Sequence, residues 1–121
     1  MGKTAVIVDD SATMRQMVAF TLKSAGFEVL EGADGSQGLS VLDGRPVSVI
    51  ITDLNMPVMD GFTFIRNLRK KSEYRFTPVL MLTTEANEAK KKEGREAGAT
   101  GWIVKPFNPQ QLLKVIAKVL P

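Results

Sequence analysis

Short apolar runs alternate with segments of helical periodicity along the chain, and this alternation predicts five strands and five helices. The run at residues 48–52 is rich in β-branched residues, which is typical of a strand buried on both faces of a parallel sheet. Similar runs occupy residues 4–8, 79–82 and 101–104, whereas the run at residues 28–31 is short and alternating, as expected of an edge strand. Helical spacing predicts helices over residues 11–25, 35–42, 61–71, 87–97 and 109–119.

These elements form five consecutive βα units, which predict one α/β domain over residues 1–121. Short connections and right-handed crossovers favour a doubly wound, five-stranded parallel sheet covered by helices on both faces. Ser11 or Asp10 is the expected N-cap of the first helix, and Gly26 is its expected stop. Pro109 suits the first turn of the last helix.

The helix predicted over residues 87–97 has an unusual composition. It contains no apolar residue larger than alanine, four basic residues crowd it, and Gly94 lowers its helix propensity. Alanine buries little area, and burial stabilises by roughly 25 cal/mol per Å². Two interpretations therefore stay open: a solvated helix anchored by Ala86, Ala89 and Ala97, or a weakly docked helix that can shift.

The composition excludes several kinds of chemistry. The 121 residues include no cysteine and no histidine, which excludes disulfides, thiolate nucleophiles, metal sites built on Cys or His, and a histidine base. The net charge of +3 is made of interspersed charges of both signs and does not by itself indicate nucleic-acid binding. No apolar run approaches the roughly 18 residues of a membrane span, and no targeting pattern is visible, so a cytoplasmic protein is expected.

Charged or hydroxyl side chains follow four of the predicted strands. Asp9 and Asp10 follow the first strand, Asp53 the third, Thr83 the fourth and Lys105 the fifth. Because the carboxyl ends of parallel strands meet at one edge of a sheet, these side chains are expected to converge there. The sequence therefore predicts a site for a cation and a phosphoryl group.

Three aspartates in one cleft repel one another, which raises their pKa values unless a cation is present. In a chain without histidine or cysteine, the fitting ion is hard and oxygen-seeking: Mg²⁺, with Mn²⁺ as an alternative. A simpler interpretation stays open, in which Asp9 or Asp10 only caps the first helix, Lys105 is a surface charge and Thr83 an ordinary strand residue. The Lys105–Pro106 bond is a candidate cis peptide.

The order and spacing of these residues match a known family. The motifs are Asp9-Asp10, Asp53-x-Asn55-Met56-Pro57-x-Met59-Asp60-Gly61, Thr83 and Lys105-Pro106-Phe107. Together they resemble the response-regulator receiver domain over essentially the whole chain. With Asp9-Asp10-Ser11-x-Thr13-Met14-Arg15, Asn55 and Glu85, the chain is most similar to CheY-type single-domain chemotaxis regulators. The resemblance implies a flavodoxin-like (CheY-like) sheet in the order 2-1-3-4-5.

The resemblance also implies a role for each site residue. Asp53 would accept a phosphoryl group from the phosphohistidine of a sensor histidine kinase, which fits a chain that has no histidine of its own. Lys105 would pair with one phosphoryl oxygen, and Thr83 would donate its hydroxyl to another. The implied magnesium ligands are Asp10, Asp53, the backbone carbonyl of Asn55 and, through water, Asp9. The protein would catalyse only its own phosphotransfer and autodephosphorylation and is not expected to be an enzyme.

Phosphorylation would be reported at a surface made of the fourth helix, the fifth strand and the fifth helix. By the resemblance, Thr83 and Trp102 form the switch, although most relatives carry Tyr or Phe where this chain has Trp102. The candidate output residues are Lys90, Trp102, Gln110 and Lys114. The implied partners are a CheA-type chemotaxis kinase and a flagellar motor switch protein, with a monomeric receiver that contacts neither nucleic acid nor membrane directly.

Other functions remain as alternatives. The chain could be the receiver domain of a longer regulator with a DNA-binding domain, or a phosphorelay protein outside chemotaxis. A Mg²⁺-dependent phosphatase of the haloacid dehalogenase type also uses a strand-end aspartate, but it needs a second aspartate where this chain has Asn55. An interaction module that no longer takes phosphate is disfavoured by the complete set of Asp9, Asp10, Asp53, Thr83 and Lys105.

Overall fold

A computed structural model, which describes residues 3–120, contains a five-stranded parallel sheet. Its strands are β1 (Lys3–Val8), β2 (Phe27–Gly32), β3 (Val49–Thr52), β4 (Val79–Thr83) and β5 (Gly101–Val104). They lie in the order β2-β1-β3-β4-β5, which confirms the predicted order and the edge position of β2. Val8 pairs with Thr52 and Thr83 with Val104, so these pairs of neighbouring strands end level with each other.

Five α-helices cover the sheet. They are α1 (Ala12–Ser24), α2 (Gly35–Leu42), α3 (Gly61–Arg69), α4 (Glu88–Ala97) and α5 (Pro109–Val119). Each begins after a side chain that accepts a hydrogen bond from a backbone N–H of the first turn; these caps are Ser11, Asp34, Asp60, Asn87 and Asn108. A cap of this kind stabilises a helix by about 1 kcal/mol. Between residues 3 and 120, no helix has both the length and the apolar content needed to cross a membrane.

The two faces of the sheet carry separate hydrophobic layers. Alternate β1 residues supply them: Val6 and Val8 pack toward α2 and α3, whereas Ala5 and Ile7 pack toward α1 and α5. The other strands alternate in the same way, so β1, β3 and β4 are buried on both sides. The prediction of a sheet covered on both faces is thus confirmed.

The third helix is shorter than its pattern predicts. The spacing favours residues 61–71, but α3 ends at Arg69 and a short 3-10 helix, Ser72–Tyr74, follows. The Arg69 guanidinium explains the turn, because it donates to the carbonyls of Tyr74 at 2.6 Å and Thr77 at 2.6 Å. The chain therefore folds back over the end of α3 before it enters β4.

The fourth helix is attached mainly near its carboxyl end. Its buried residues are Gly94 and Ala97, whereas Ala86 and Ala89 are exposed. The expectation that Ala86 and Ala89 anchor this helix is therefore wrong: the helix is oriented so that its 94–97 segment faces the core. Arg69 holds the same end, because its guanidinium donates to the Gly98 carbonyl at 2.8 and 3.2 Å.

Candidate functional site

The residues that follow the strands meet at the carboxyl edge of the sheet. The backbone N–H of Asp9 donates to Gly32 at 3.1 Å, that of Asp53 to Val8 at 2.8 Å, and that of Lys105 to Thr83 at 2.8 Å. Hydrogen bonding between strands thus continues one residue beyond β1, β3 and β5. The sheet itself therefore fixes the backbone positions from which the site's side chains project.

Three carboxylates form a cluster at this edge. One carboxylate oxygen from each of Asp9, Asp10 and Asp53 lies within 4.8 Å of the others. Asp9 is 3% exposed and Asp53 is 8% exposed, whereas Asp10 is exposed at the mouth. Asn55 lies in the exposed loop two residues after Asp53. A cluster of carboxylates with a nearby loop carbonyl is a donor set suited to Mg²⁺, which prefers oxygen ligands.

The first helix is capped by Ser11 and not by an aspartate of this cluster. The Ser11 hydroxyl accepts a hydrogen bond from the Met14 N–H at 3.2 Å. Asp9 instead accepts a bond from the Ser11 N–H at 2.9 Å, one position before the helix begins. The interpretation that Asp9 or Asp10 serves only as the cap is therefore wrong.

Lys105 is drawn into the cluster. Its ammonium lies 2.8 Å from Asp9 Oδ2 and 3.3 Å from Asp53 Oδ2, and its side chain is only 11% exposed. Burial lowers the pKa of Lys105, but hydrogen bonds and charge attraction from Asp9 and Asp53 outweigh burial and leave that pKa raised. The interpretation of Lys105 as a solvated surface charge is wrong. The Lys105–Pro106 peptide is cis, as predicted.

Asp53 experiences opposing effects. Burial and the charge of Asp9 raise its pKa, while Lys105 and a 2.7 Å hydrogen bond from the Leu54 N–H oppose that rise. The pKa of Asp53 is raised on balance. With Asp10 included, three carboxylates face one ammonium, which leaves two negative charges for a divalent cation to balance.

Two features of the loop after Asp53 shape this edge. A side chain at Gly61 would collide with the Asp53 carbonyl, so glycine is required where α3 begins against the Asp53–Leu54 backbone. Val58 has a φ of +69°, a conformation that a β-branched residue rarely adopts and that costs about 1–3 kcal/mol. Close packing against the Asp53–Leu54 backbone therefore explains the glycine of the Asp60-Gly61 motif, which the spacing of the motif alone did not reveal.

The predicted switch residues are both linked to Glu85. Thr83 is 0% exposed, and its hydroxyl accepts a bond from the Glu85 N–H at 3.4 Å. Trp102 is half-buried, and its indole N–H donates to the Glu85 carbonyl at 2.8 Å. The Trp102 ring also packs on Gly94 of α4 and lies 6.4 Å from the Phe62 ring. One residue of the β4–α4 loop thus joins the end of β4 to the aromatic side chain of β5.

Three of the four candidate output residues are exposed on the expected surface, and the fourth, Trp102, is half-buried. Lys90 of α4 has its ammonium 6.0 Å above the Phe62 ring, so it shares an aromatic neighbour with Trp102. Gln110 and Lys114 are exposed on α5. The contacts of Phe62 with Trp102 and of Arg69 with Gly98 have no signal in the sequence, because each joins segments that are distant along the chain.

The chain belongs to the response regulator receiver domain family, whose model matches residues 5–117. It is thus a receiver domain of a two-component system. Chemotaxis protein CheY1 of Helicobacter pylori is 39% identical to it over 117 residues, which cover 95% of this chain and 94% of the relative. The phosphate regulon transcriptional regulatory protein PhoB of Pseudomonas aeruginosa is 37% identical over 120 residues, which cover 99% of this chain but 52% of that regulator.

Solved structures agree with this assignment. The structure of chemotaxis protein CheY4 of Vibrio cholerae is 52% identical in sequence to this chain and has a TM-score of 0.95. The match covers 99% of this chain and 100% of the CheY4 chain. The receiver domain of a sensor histidine kinase from Pseudomonas aeruginosa PAO1 carries a magnesium ion coordinated in its active site cleft. It is 25% identical, with a TM-score of 0.90 over 98% of this chain and 97% of that one.

Proposed function

We propose that this receiver domain takes a phosphoryl group onto Asp53 from the phosphohistidine of a sensor histidine kinase. An Asp53 oxygen attacks phosphorus, the P–N bond breaks, and the imidazole leaves with the electron pair and takes up a proton. The observation that carries the proposal is the buried pairing of Lys105 with Asp9 and Asp53 beside the exposed carboxylate of Asp10. This arrangement provides a nucleophile, a cation for a phosphoryl oxygen and an open side for the donor.

The acidic cluster would hold Mg²⁺ through Asp10, Asp53 and the Asn55 carbonyl, with Asp9 acting through water. When bound, the ion neutralises charge on the phosphoryl group. The Lys105 ammonium already lies 3.3 Å from the attacking carboxylate and can pair with a phosphoryl oxygen once transfer occurs. Among residues 3–120, the one hydrogen bond of the Thr83 hydroxyl is the long 3.4 Å bond that it accepts from the Glu85 N–H, so its proton can be donated to a second phosphoryl oxygen.

The signal would leave through α4, β5 and α5, and chemotaxis is the proposed pathway. The similarity to CheY1 and CheY4 supports a CheA-type kinase and a flagellar motor switch protein as partners. The protein that they would contact is proposed to be monomeric and cytoplasmic. The match to PhoB supports the alternative, a receiver within a longer regulator. A purified, phosphorylated CheA-type kinase should transfer its phosphoryl group to this protein completely. In the same time, a phosphorylated kinase from another pathway should transfer little. Equal transfer from both would argue against the chemotaxis assignment.

Phosphorylation itself is tested by intact mass. After incubation with acetyl phosphate and Mg²⁺, the wild-type protein should gain one phosphoryl group, and addition of a chelator beforehand should prevent the gain. Asp53→Asn should gain none, whereas Asp43→Asn, a matched change outside the cluster, should behave as wild type. A gain that persists in Asp53→Asn would exclude this residue as the acceptor.

The phosphatase alternative makes a separate prediction. A haloacid dehalogenase-type enzyme turns over phosphomonoesters many times, but Asn55 lacks the carboxylate needed as the acid and base of such a reaction. We therefore expect no multiple turnover of p-nitrophenyl phosphate at saturating Mg²⁺. Sustained turnover that Asp53→Asn abolishes would favour an enzyme.

A further inference from the structure

All four hydrogen-bonding groups of Asp9 are held by the protein. Its N–H donates to Gly32, its Oδ1 accepts from Ser11 and its Oδ2 accepts from Lys105. The remaining group, the backbone carbonyl, accepts a 2.6 Å hydrogen bond from Arg15 Nη1. Asp10, the next residue, has no side-chain hydrogen bond among residues 3–120, so its direction depends on the backbone that precedes it.

Arg15 occupies a position where its charge is unfavourable for the helix. It is the fourth residue of α1, and positive charge near the start of a helix opposes the macrodipole. The Arg15 Nε lies 3.4 Å from Oε1 of Glu31, near the end of β2. The Arg15 side chain is largely buried. Glu31 thus offsets the charge and orients the guanidinium toward the Asp9 carbonyl.

The Arg15 bond holds the peptide plane that joins two residues of the acidic cluster. The Asp9 carbonyl and the Asp10 N–H belong to the same planar unit, so a bond that holds the carbonyl also restricts the position of the backbone that carries the Asp10 side chain. Mg²⁺ demands near-ideal octahedral geometry and tolerates small displacements of its ligands poorly. A donor that fixes this plane therefore affects an ion that it never touches.

We propose that Arg15 is a positioning residue for the divalent-cation site, and that Glu31 orients Arg15 for this task. This inference rests on the proposed function, because it assumes that the acidic cluster holds Mg²⁺. The proposal predicts a change in cation affinity of opposite sign to the one that charge alone predicts. Removing a positive charge near three carboxylates should tighten cation binding by Coulomb attraction, whereas removing a positioning donor should weaken it.

The test is a calorimetric titration of the full chain with MgCl2. Arg15→Met should raise the Mg²⁺ dissociation constant by about 10-fold, the lower end of the losses seen when a metal site loses an outer hydrogen bond. Arg15→Lys should recover part of the affinity, because an ammonium can still donate to the Asp9 carbonyl. Glu31→Gln should cause a smaller loss. Arg75→Met, a change at an exposed arginine outside the site, should bind as wild type.

A second readout separates positioning from general damage. In the acetyl phosphate reaction, Arg15→Met should need more Mg²⁺ for half-maximal rate but should reach the wild-type rate at saturation. Affinity in Arg15→Met equal to or tighter than wild type would overturn the positioning role. If Arg15→Met does not fold, unchanged affinity in Glu31→Gln overturns it instead. A wild-type protein that takes no phosphoryl group would overturn the proposed function, a separate result.

Discussion

Asp53 is held where burial and charge act against ionisation. Burial and the Asp9 carboxylate disfavour the anion, and Lys105 and the Leu54 N–H oppose them. The same features prepare it for transfer, because a desolvated carboxylate beside an ammonium loses little solvation when it attacks phosphorus. The residue is thus placed for reaction at some expense of stability.

Asp53→Asn is therefore expected to raise the free energy of unfolding at pH 7 by on the order of 1 kcal/mol in chelator-treated buffer. A raised folded-state pKa means that the unionised form is favoured on folding. The stability that this provides is complete below the ordinary pKa of 3.8 and is lost as the pH rises through the folded-state pKa. Asparagine keeps the acceptor for Leu54 without the charge.

Urea unfolding at pH 4.5 and pH 7 measures this effect. The gain from Asp53→Asn should shrink at the lower pH, where more of the wild-type carboxyl group is protonated. Asp43→Asn supplies the control for an aspartate outside the cluster. A variant that is less stable than wild type at pH 7 would show that the Lys105 pairing outweighs desolvation.

At the residue scale, the sequence was sufficient to predict which side chains converge. Asp9, Asp53 and Lys105 directly follow apolar runs, and parallel strands bring such positions together. Arg15 could not be found in this way. Its importance comes from a carbonyl six residues earlier and a glutamate on another strand, and neither contact has a periodic pattern.

The fourth helix depends on a match between a small residue and a large one. A Cβ added at Gly94 would lie 2.7 Å from Trp102 Cζ3, so the indole occupies the space that glycine leaves open. The sequence predicts that alanines attach this helix, and Ala97 is indeed buried, but it did not identify Gly94 as the other residue that faces the core. The partner that decides this is Trp102, on a different element.

Gly94→Ala should consequently destabilise the wild-type protein by about 1 kcal/mol. The overpacking cost, about 1–3 kcal/mol, exceeds the gain in helix propensity of about 1 kcal/mol. In a Trp102→Phe background, where the smaller ring leaves room, the same change should be neutral or stabilising. A double-mutant cycle by urea unfolding measures the difference. Equal effects in both backgrounds would show that the contact carries no coupling.

Trp102 also reports on the loop that it binds. If phosphorylation draws the Thr83 hydroxyl toward Asp53, the Glu85 backbone moves and the indole hydrogen bond changes. The fluorescence of the single tryptophan should therefore change after acetyl phosphate and Mg²⁺ are added. Asp53→Asn should show no phosphodonor-dependent change. Constant fluorescence in a protein shown by mass to be phosphorylated would separate Trp102 from the switch.

Across the whole molecule, Tyr74 connects two distant loops. Its single hydroxyl proton is shared between the carbonyls of Leu42 at 3.1 Å and Arg45 at 2.9 Å, and the residue is 1% exposed. Helical periodicity predicts that α3 continues to residue 71, whereas the turn that Arg69 stabilises brings the Tyr74 hydroxyl to the last residue of α2. Burial, with a smaller effect from Glu73, raises the pKa of Tyr74 above its ordinary value.

This raised pKa predicts a loss of stability in alkali. The contribution of the protonated phenol is complete below pH 10.0 and is lost as the pH rises through the folded-state pKa. Because Tyr74 is the single tyrosine, the tyrosinate band in near-ultraviolet absorbance measures its ionisation directly. Tyr74→Phe should lose about 1–2 kcal/mol at pH 7 but show a shallower decline above pH 10. An ordinary tyrosinate pKa in the folded protein would contradict the prediction.

The Arg69 hydrogen bonds to Gly98 have a mechanical consequence for the whole receiver. They fix α4 at its carboxyl end, while its amino end follows directly from the loop that contains Glu85. A helix of 10 residues is roughly 15 Å long. It is therefore a lever with its pivot at Gly98, and a tilt of about 10° would move its first turn by about 2–3 Å. A displacement of less than an ångström near Thr83 can therefore become a larger movement at the surface where a partner binds. The length of the helix amplifies the rotation, so the core does not have to transmit it.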